Sequence, residues 1–163
     1  MTLGSISPAD VLIGQRLAEE LSELQGFCEA LAAERAVLEK GQADQLPPIV
    51  ENKSKLATRL GQLLTERERA LTQLGLGDGR AGMEAWLAQR PQDSKARDKW
   101  QLLLTLAEEA RKLQAVNGKL ISLQLQHTQQ ALAALMSASG RPLTYGPDGQ
   151  QRVGGGGRAL GSA

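Results

Sequence analysis

Leucine recurring at alternating steps of four and three residues constrains this chain more than any other feature. Leu17, Leu21, Leu24, Cys28, Leu31 and Leu38 mark the seam of a helix that packs lengthwise on others. Ser7-Pro8 supplies its start, a hydroxyl at the N-cap with proline at the first helical position. Lys40-Gly41 supplies a basic last turn and a glycine cap. A second seam runs through Ile49, Leu56, Leu60, Leu63, Ala70 and Leu74, with Lys53 and Arg67 on the same stripe. The prolines before it cannot sit inside a helix but can begin one, which predicts a start at Pro47 or Pro48. Asp93 or Ser94 can then cap a third long helix running to about Ser139, roughly 67 Å in length.

Residues 75–93 mix glycines with a short helical piece, MEAWLAQR, closed by Pro91 and pinned by Trp86. The apolar palette is mostly Leu and Ala, and aromatic residues make up only 2% of the chain, which favours helix over sheet. The expected fold is therefore all-α: an antiparallel bundle of three long, coiled-coil-like helices with a short extra helix. This bundle occupies residues 1–139. A flexible tail, 140–163, follows, because its PDG turn and four-glycine run oppose regular structure.

The third helix has two apolar stripes. One holds Trp100, Leu103, Leu106, Ala110, Ile121, Leu125, Leu132 and Leu135, the other Leu102, Leu113, Val116, Leu120 and Leu123. One partner helix cannot cover both, and the longer helix is expected to extend past the shared length. From Leu120 to Ser139 it contains no Asp, Glu, Lys or Arg, and its polar face is Gln, Ser, Thr and His127. Interface cores are depleted in charge, so this surface suits docking. A helix kept soluble by Gln and Ala fits the same composition.

Just before this stretch, AVNGKLISLQLQH contains Asn117-Gly118, the commonest β-hairpin turn dipeptide. The apolar stripes continue in phase through it, so it reads as an interruption within a helix. Gly118 costs about 1 kcal/mol relative to Ala. Asn117 falls on the apolar stripe, where a polar group needs a hydrogen-bond partner and can fix register.

Charge and composition narrow the function classes. The net charge is +1, too small for a global field that holds nucleic acid or an anionic membrane, and no aromatic stacking set accompanies the basic residues. Residues 9–40 carry seven acids against three bases and residues 94–139 six bases against three acids, which suits side-by-side packing. A lone cysteine excludes an internal disulfide. The start lacks the features of a signal peptide, and no run approaches the ~18 apolar residues of a membrane span. A cytoplasmic protein without membrane insertion is expected.

Catalytic motifs are weak throughout. The GxGxxG match at Gly77–Gly82 follows a leucine-seamed helix rather than a strand, so it reads as an interhelical loop. Gly154–Gly157 is not followed by Lys-Ser or Lys-Thr, and one histidine with one cysteine makes no usual zinc site. Cys28 reads as a small core residue, His127 as a surface residue or part of a docking face. Glu19, Glu20, Glu23, Glu108 and Glu109 read as solvated helix faces. No catalytic residue, metal or cofactor is expected; the chain reads as a binding protein rather than an enzyme.

Four features in order resemble the flagellar export chaperones of the FlgN family. They are an acidic first helix ending in ERAVLEKG, a second helix with ENKSKLATRLGQLLTERERAL, the Trp-led KWQLLLTLAEEARKLQAVNGKLI, and the tail LTYGPDGQ. The resemblance covers about residues 10–152. Its specific parts are Asn117, Gly118, Leu120 and Ile121, and the tail residues Tyr145, Gly146, Asp148, Gly149 and Gln150. Gln114 stands where the family pattern usually places another Asn.

The resemblance implies a small cytoplasmic type III export chaperone. It would bind the C-terminal helical ends of the hook-filament junction proteins FlgK and FlgL, keep them unpolymerised and bring them to the export gate. The expected cargo-binding residues are Asn117, Gly118, Leu120, Ile121, Leu125, Leu132, Leu135 and Met136, with Gln124 and Gln129 at the rim. Tyr145, Gly146, Asp148 and Gly149 are expected to dock the cytoplasmic domain of the gate protein FlhA. A generic coiled-coil adaptor without secretion cargo would show the same helices, and exposed seams can be met by self-association as well as by cargo.

Overall fold

Helix α1, Pro8–Glu39, starts and stops where its caps dictate. A computed structural model describes residues 6–140 together with the backbone of 143–145 and 151–153. In it Ser7 accepts from the Ala9 amide, while the Asp10 carboxylate accepts from the Ser7 amide at 3.2 Å, closing a reciprocal capping box. At the other end Gly41 takes φ 67°, and the amides of Gly41 and Gln42 return to the carbonyls of Leu38 and Val37. That Schellman geometry satisfies carbonyls the helix itself leaves free.

A 3-10 turn, Ala43–Gln45, leads into α2, Leu46–Gln73. The start precedes the predicted Pro47 by one residue, because both prolines fit the first turn, where an amide has no helical partner anyway. Gly75 ends α2 by the same Schellman device, with its amide and that of Leu76 bonded back to Thr72 and Leu71. Helix α3, Gly79–Ala88, begins four residues before the predicted MEAWLAQR segment. Asp93 proves to be the cap of α4, Ser94–Ala138: its Oδ1 accepts from the Ala96 amide at 3.0 Å.

The leucine seams meet as expected. Ile13, Leu17, Leu24, Cys28 and Leu31 of α1, Ala70 and Leu71 of α2, Met83, Trp86 and Leu87 of α3, and Ala96, Trp100, Leu103 and Ala110 of α4 form one buried cluster. Trp86 pins the short helix as anticipated: its Nε1 donates to Asp10 Oδ1 at 3.1 Å, and the Arg90 guanidinium stacks over its ring and pairs with Asp10.

The expectation that Glu20 is a solvated face residue does not hold. Glu20 is buried, and Arg67 of α2 reaches both its oxygens, Nε at 2.7 Å and Nη2 at 3.2 Å. Fourteen residues further along α1, Glu34 is buried against Lys53, which lies fourteen residues earlier in α2. The equal spacing on both helices keeps one antiparallel register, with Phe27 and Leu60 on the intervening heptad step, both packed against the core. Isolated exposed pairs contribute little, but a buried pair robbed of one member leaves a charge without compensation.

Beyond α4, Leu143–Tyr145 and Gln151–Val153 pair as a two-stranded antiparallel ribbon, with Thr144 opposite Arg152. The sequence predicts no regular structure there, and the two strands differ from that. They flank the PDG turn signal, the residue types that allow a chain to double back. The described residues divide into two units between Leu120 and Ile121, and the buried cluster lies in the first.

Two substitutions separate packing from backbone cost. A Cβ at Gly82 would meet the Gly77 carbonyl oxygen at 2.9 Å, whereas a Cβ at Gly118 meets nothing within 4 Å. Gly118→Ala is expected to raise unfolding stability by about 1 kcal/mol and Gly82→Ala to lower it, both measured by urea titration. Glu20→Ala, which strands buried Arg67, is expected to cost about 3 kcal/mol in the same assay; a change below about 1 kcal/mol would mean that the pair behaves as an exposed one.

Candidate docking face

Helix α4 changes character along its length. Up to Asn117 its residues fall into the bundle at helical spacing: Ala96, Trp100, Leu103, Ala110 and Asn117 are buried. From Ile121 to Ala138 no residue is buried, and Gln124 and Met136 alone are half-buried. Ile121, Leu125, Leu132 and Leu135, spaced at four, seven and three residues, are exposed, Leu125 at 58% and Leu135 at 68%. Leu123 is exposed on the other stripe. The Thr128 hydroxyl donates to the Gln124 carbonyl at 3.0 Å and the Ser139 hydroxyl to the Met136 carbonyl at 2.9 Å. Those hydroxyls are thus spent on the helix's own backbone.

The structure sorts the sequence-predicted residues into two groups. Ile121, Leu125, Gln129, Leu132 and Leu135 are exposed, with Gln124 and Met136 half-covered, all in the second unit. Asn117, Gly118 and Leu120 belong to the first. Leu120 is half-buried and Gly118 exposed, but Asn117 is 1% exposed. Its Nδ2 donates to the Leu31 carbonyl at 2.9 Å and to Glu34 Oε2 at 2.7 Å, so its side chain is committed to the bundle. The expectation that Asn117 finds a partner is met, and the helix continues unbroken through Asn117-Gly118. Of the tail motif, Gly146, Asp148 and Gly149 lie outside the described residues, as does the Tyr145 side chain.

Sequence reasoning missed Glu34 and Lys53, whose Nζ lies 2.9 and 3.0 Å from the two Glu34 oxygens. The signal was present: two cations fourteen residues apart on the apolar stripe of α2, and acids at the same interval on α1.

Local packing accounts for the GxGxxG match and for Cys28. Gly77 and Gly79 have φ of 83° and 60°, and Gly82 lies against the Gly77 carbonyl, so the GxGxxG spacing serves a tight α2–α3 connection. The Gly79 amide, where a phosphate would bind, already donates to Glu68 Oε2 at 2.7 Å. Burial, and secondarily the negative charge of Glu109, pushes the Cys28 thiol above its ordinary range, the reverse of what a nucleophile needs. Its Sγ donates to the Leu106 carbonyl at 3.6 Å. Among the described residues no group of three or more His, Cys, Asp or Glu could hold a metal, and no helix is long and apolar enough to cross a membrane.

No solved structure matches the chain significantly. Similar curated proteins are the flagella synthesis protein FlgN of Salmonella typhimurium, 32% identical over 85% of this chain and 91% of its own length, and that of Yersinia enterocolitica, 30% identical over 83% and 86%. The protein of the same name from Proteus mirabilis is 30% identical over 83% of this chain and 87% of its own. The family model described as FlgN protein matches residues 12–152. The chain belongs to the FlgN family.

Proposed function

We propose that this protein is a cytoplasmic chaperone of flagellar export. It holds the C-terminal helical ends of the junction proteins FlgK and FlgL on α4 and delivers them to the cytoplasmic domain of FlhA. The observation that carries the reading is the uncharged, uncovered stripe Ile121, Leu125, Leu132 and Leu135. The relatives named as flagella synthesis proteins supply its biological setting.

The physics suits a temporary hold. An amphipathic cargo terminus lying along α4 would cover four large aliphatic side chains without stripping water from any charge. Covering each is worth about 1.5–3 kcal/mol, and association entropy consumes at least about 4 kcal/mol of the total. The balance favours a complex that forms and releases, which a cargo bound for secretion requires. Leu120 stands on the neighbouring stripe, and Gln124 and Gln129 are the expected rim. Asn117 serves it indirectly, through the bundle. Tyr145, an aromatic ring with one polar tip, is suited to anchor a second contact at the gate.

Leu125→Lys with Leu132→Lys places two charges on the exposed stripe. The thermal melt should be unchanged and affinity for a FlgK C-terminal peptide, measured by calorimetry, should fall by about tenfold or more. Unchanged affinity would remove the face from the account. In parallel, Tyr145→Ala should leave peptide binding intact and weaken binding to the FlhA cytoplasmic domain; loss of both or of neither would contradict two separate sites.

A further inference from the structure

Between Trp100 and Asn117 the seam of α4 inside the bundle is nearly degenerate. Leu103, Leu106, Ala110 and Leu113 recur at three and four residues, so a slide of one heptad along α1 sets apolar side chains against apolar side chains again. Asn117 breaks that degeneracy. Its Nδ2 is shared between the Leu31 carbonyl and Glu34 of α1, and Glu34 is clasped by Lys53 of α2. One heptad either way replaces Asn117 by Ala110 or Gln124 beside Glu34 and pushes the amide into another layer.

The same cluster is a poor choice for stability alone. Glu34 is 2% exposed, and among the described residues Asn117 Oδ1 has no hydrogen-bond partner. Apolar residues of similar volume commonly match or exceed such buried polar groups in stability, and the best-attested gain from keeping them is register.

We propose that Glu34, Lys53 and Asn117 form a register lock that sets α4 at one position along α1 and so fixes the residue at which its covered seam ends. Its importance for cargo rests on the docking role proposed above; its geometry does not. Asn117 is a positioning residue here. It presents the exposed stripe without touching the bound segment.

Spin-label distances read register directly. Labels at Gln15 and Ala115, both exposed, in a full-length Cys28→Ala background should give one narrow distance. The combined Glu34→Leu, Lys53→Leu and Asn117→Leu variant, helical by circular dichroism, should add a population displaced by most of a heptad's rise, on the order of 10 Å. A single unchanged distance in that variant would overturn the proposal. If the triple variant does not fold, Asn117→Leu alone decides by the same criterion, since it leaves the Glu34–Lys53 pair in place. No cargo enters the measurement, so failure of the chaperone reading and failure of the lock give different results.

Discussion

Two ion pairs, the buried Glu20–Arg67 and the partly buried Glu34–Lys53, hold α1 and α2 in one antiparallel register, and the rest of the structure is arranged on that pair of helices. Each pair also meets α4. The Arg67 guanidinium lies 5.3 Å from the Trp100 ring centroid, and Glu34 accepts from Asn117. α4 is therefore gripped at two polar points, with the apolar cluster of Cys28, Leu103 and Ala110 between them. Leucine alone would bind the three helices; the charges say where along one another they stop. Burying Glu20, Arg67 and Glu34 is expensive, and their hydrogen bonds offset part of that cost.

Much of this was legible in the sequence because helix ends and apolar seams are local signals. Ser7-Pro8, Gly41, Gly75 and Asp93 each act within a few residues of their own position, and each marks its boundary in the structure. What was not legible depends on partners far along the chain. Glu20 sits among Glu19 and Glu23 in a run that looks like a solvated face, and Arg67, forty-seven residues away, decides its burial. Asn117 could be read as needing a partner but not as finding Glu34. The same limit applies to the proposed docking face: composition shows that Leu120–Ser139 lacks charge, while only the fold shows that the stripe from Ile121 onward is exposed and that Asn117 is buried.

Within one helix the chain thus combines two kinds of surface. Up to Asn117 one stripe is buried at helical spacing, with a cation over the Trp100 indole and charges on the opposite side. Residues after Leu120 keep the apolar spacing but give up both the burial and the charges. Glycine at 118, in open space at the change between them, lowers helix propensity there while the helix stays unbroken. In the proposed reading, that division leaves the stripe from Ile121 to Leu135 for cargo to cover.

Hydrogen exchange along α4 tests this division most directly. In the free protein, amides of residues 100–117 should exchange through global unfolding, whereas those of 121–138 should exchange orders of magnitude faster and become protected when a FlgK C-terminal peptide is added. Equal protection of both stretches in the free protein, or no gain at 121–138 with peptide bound, would contradict the account.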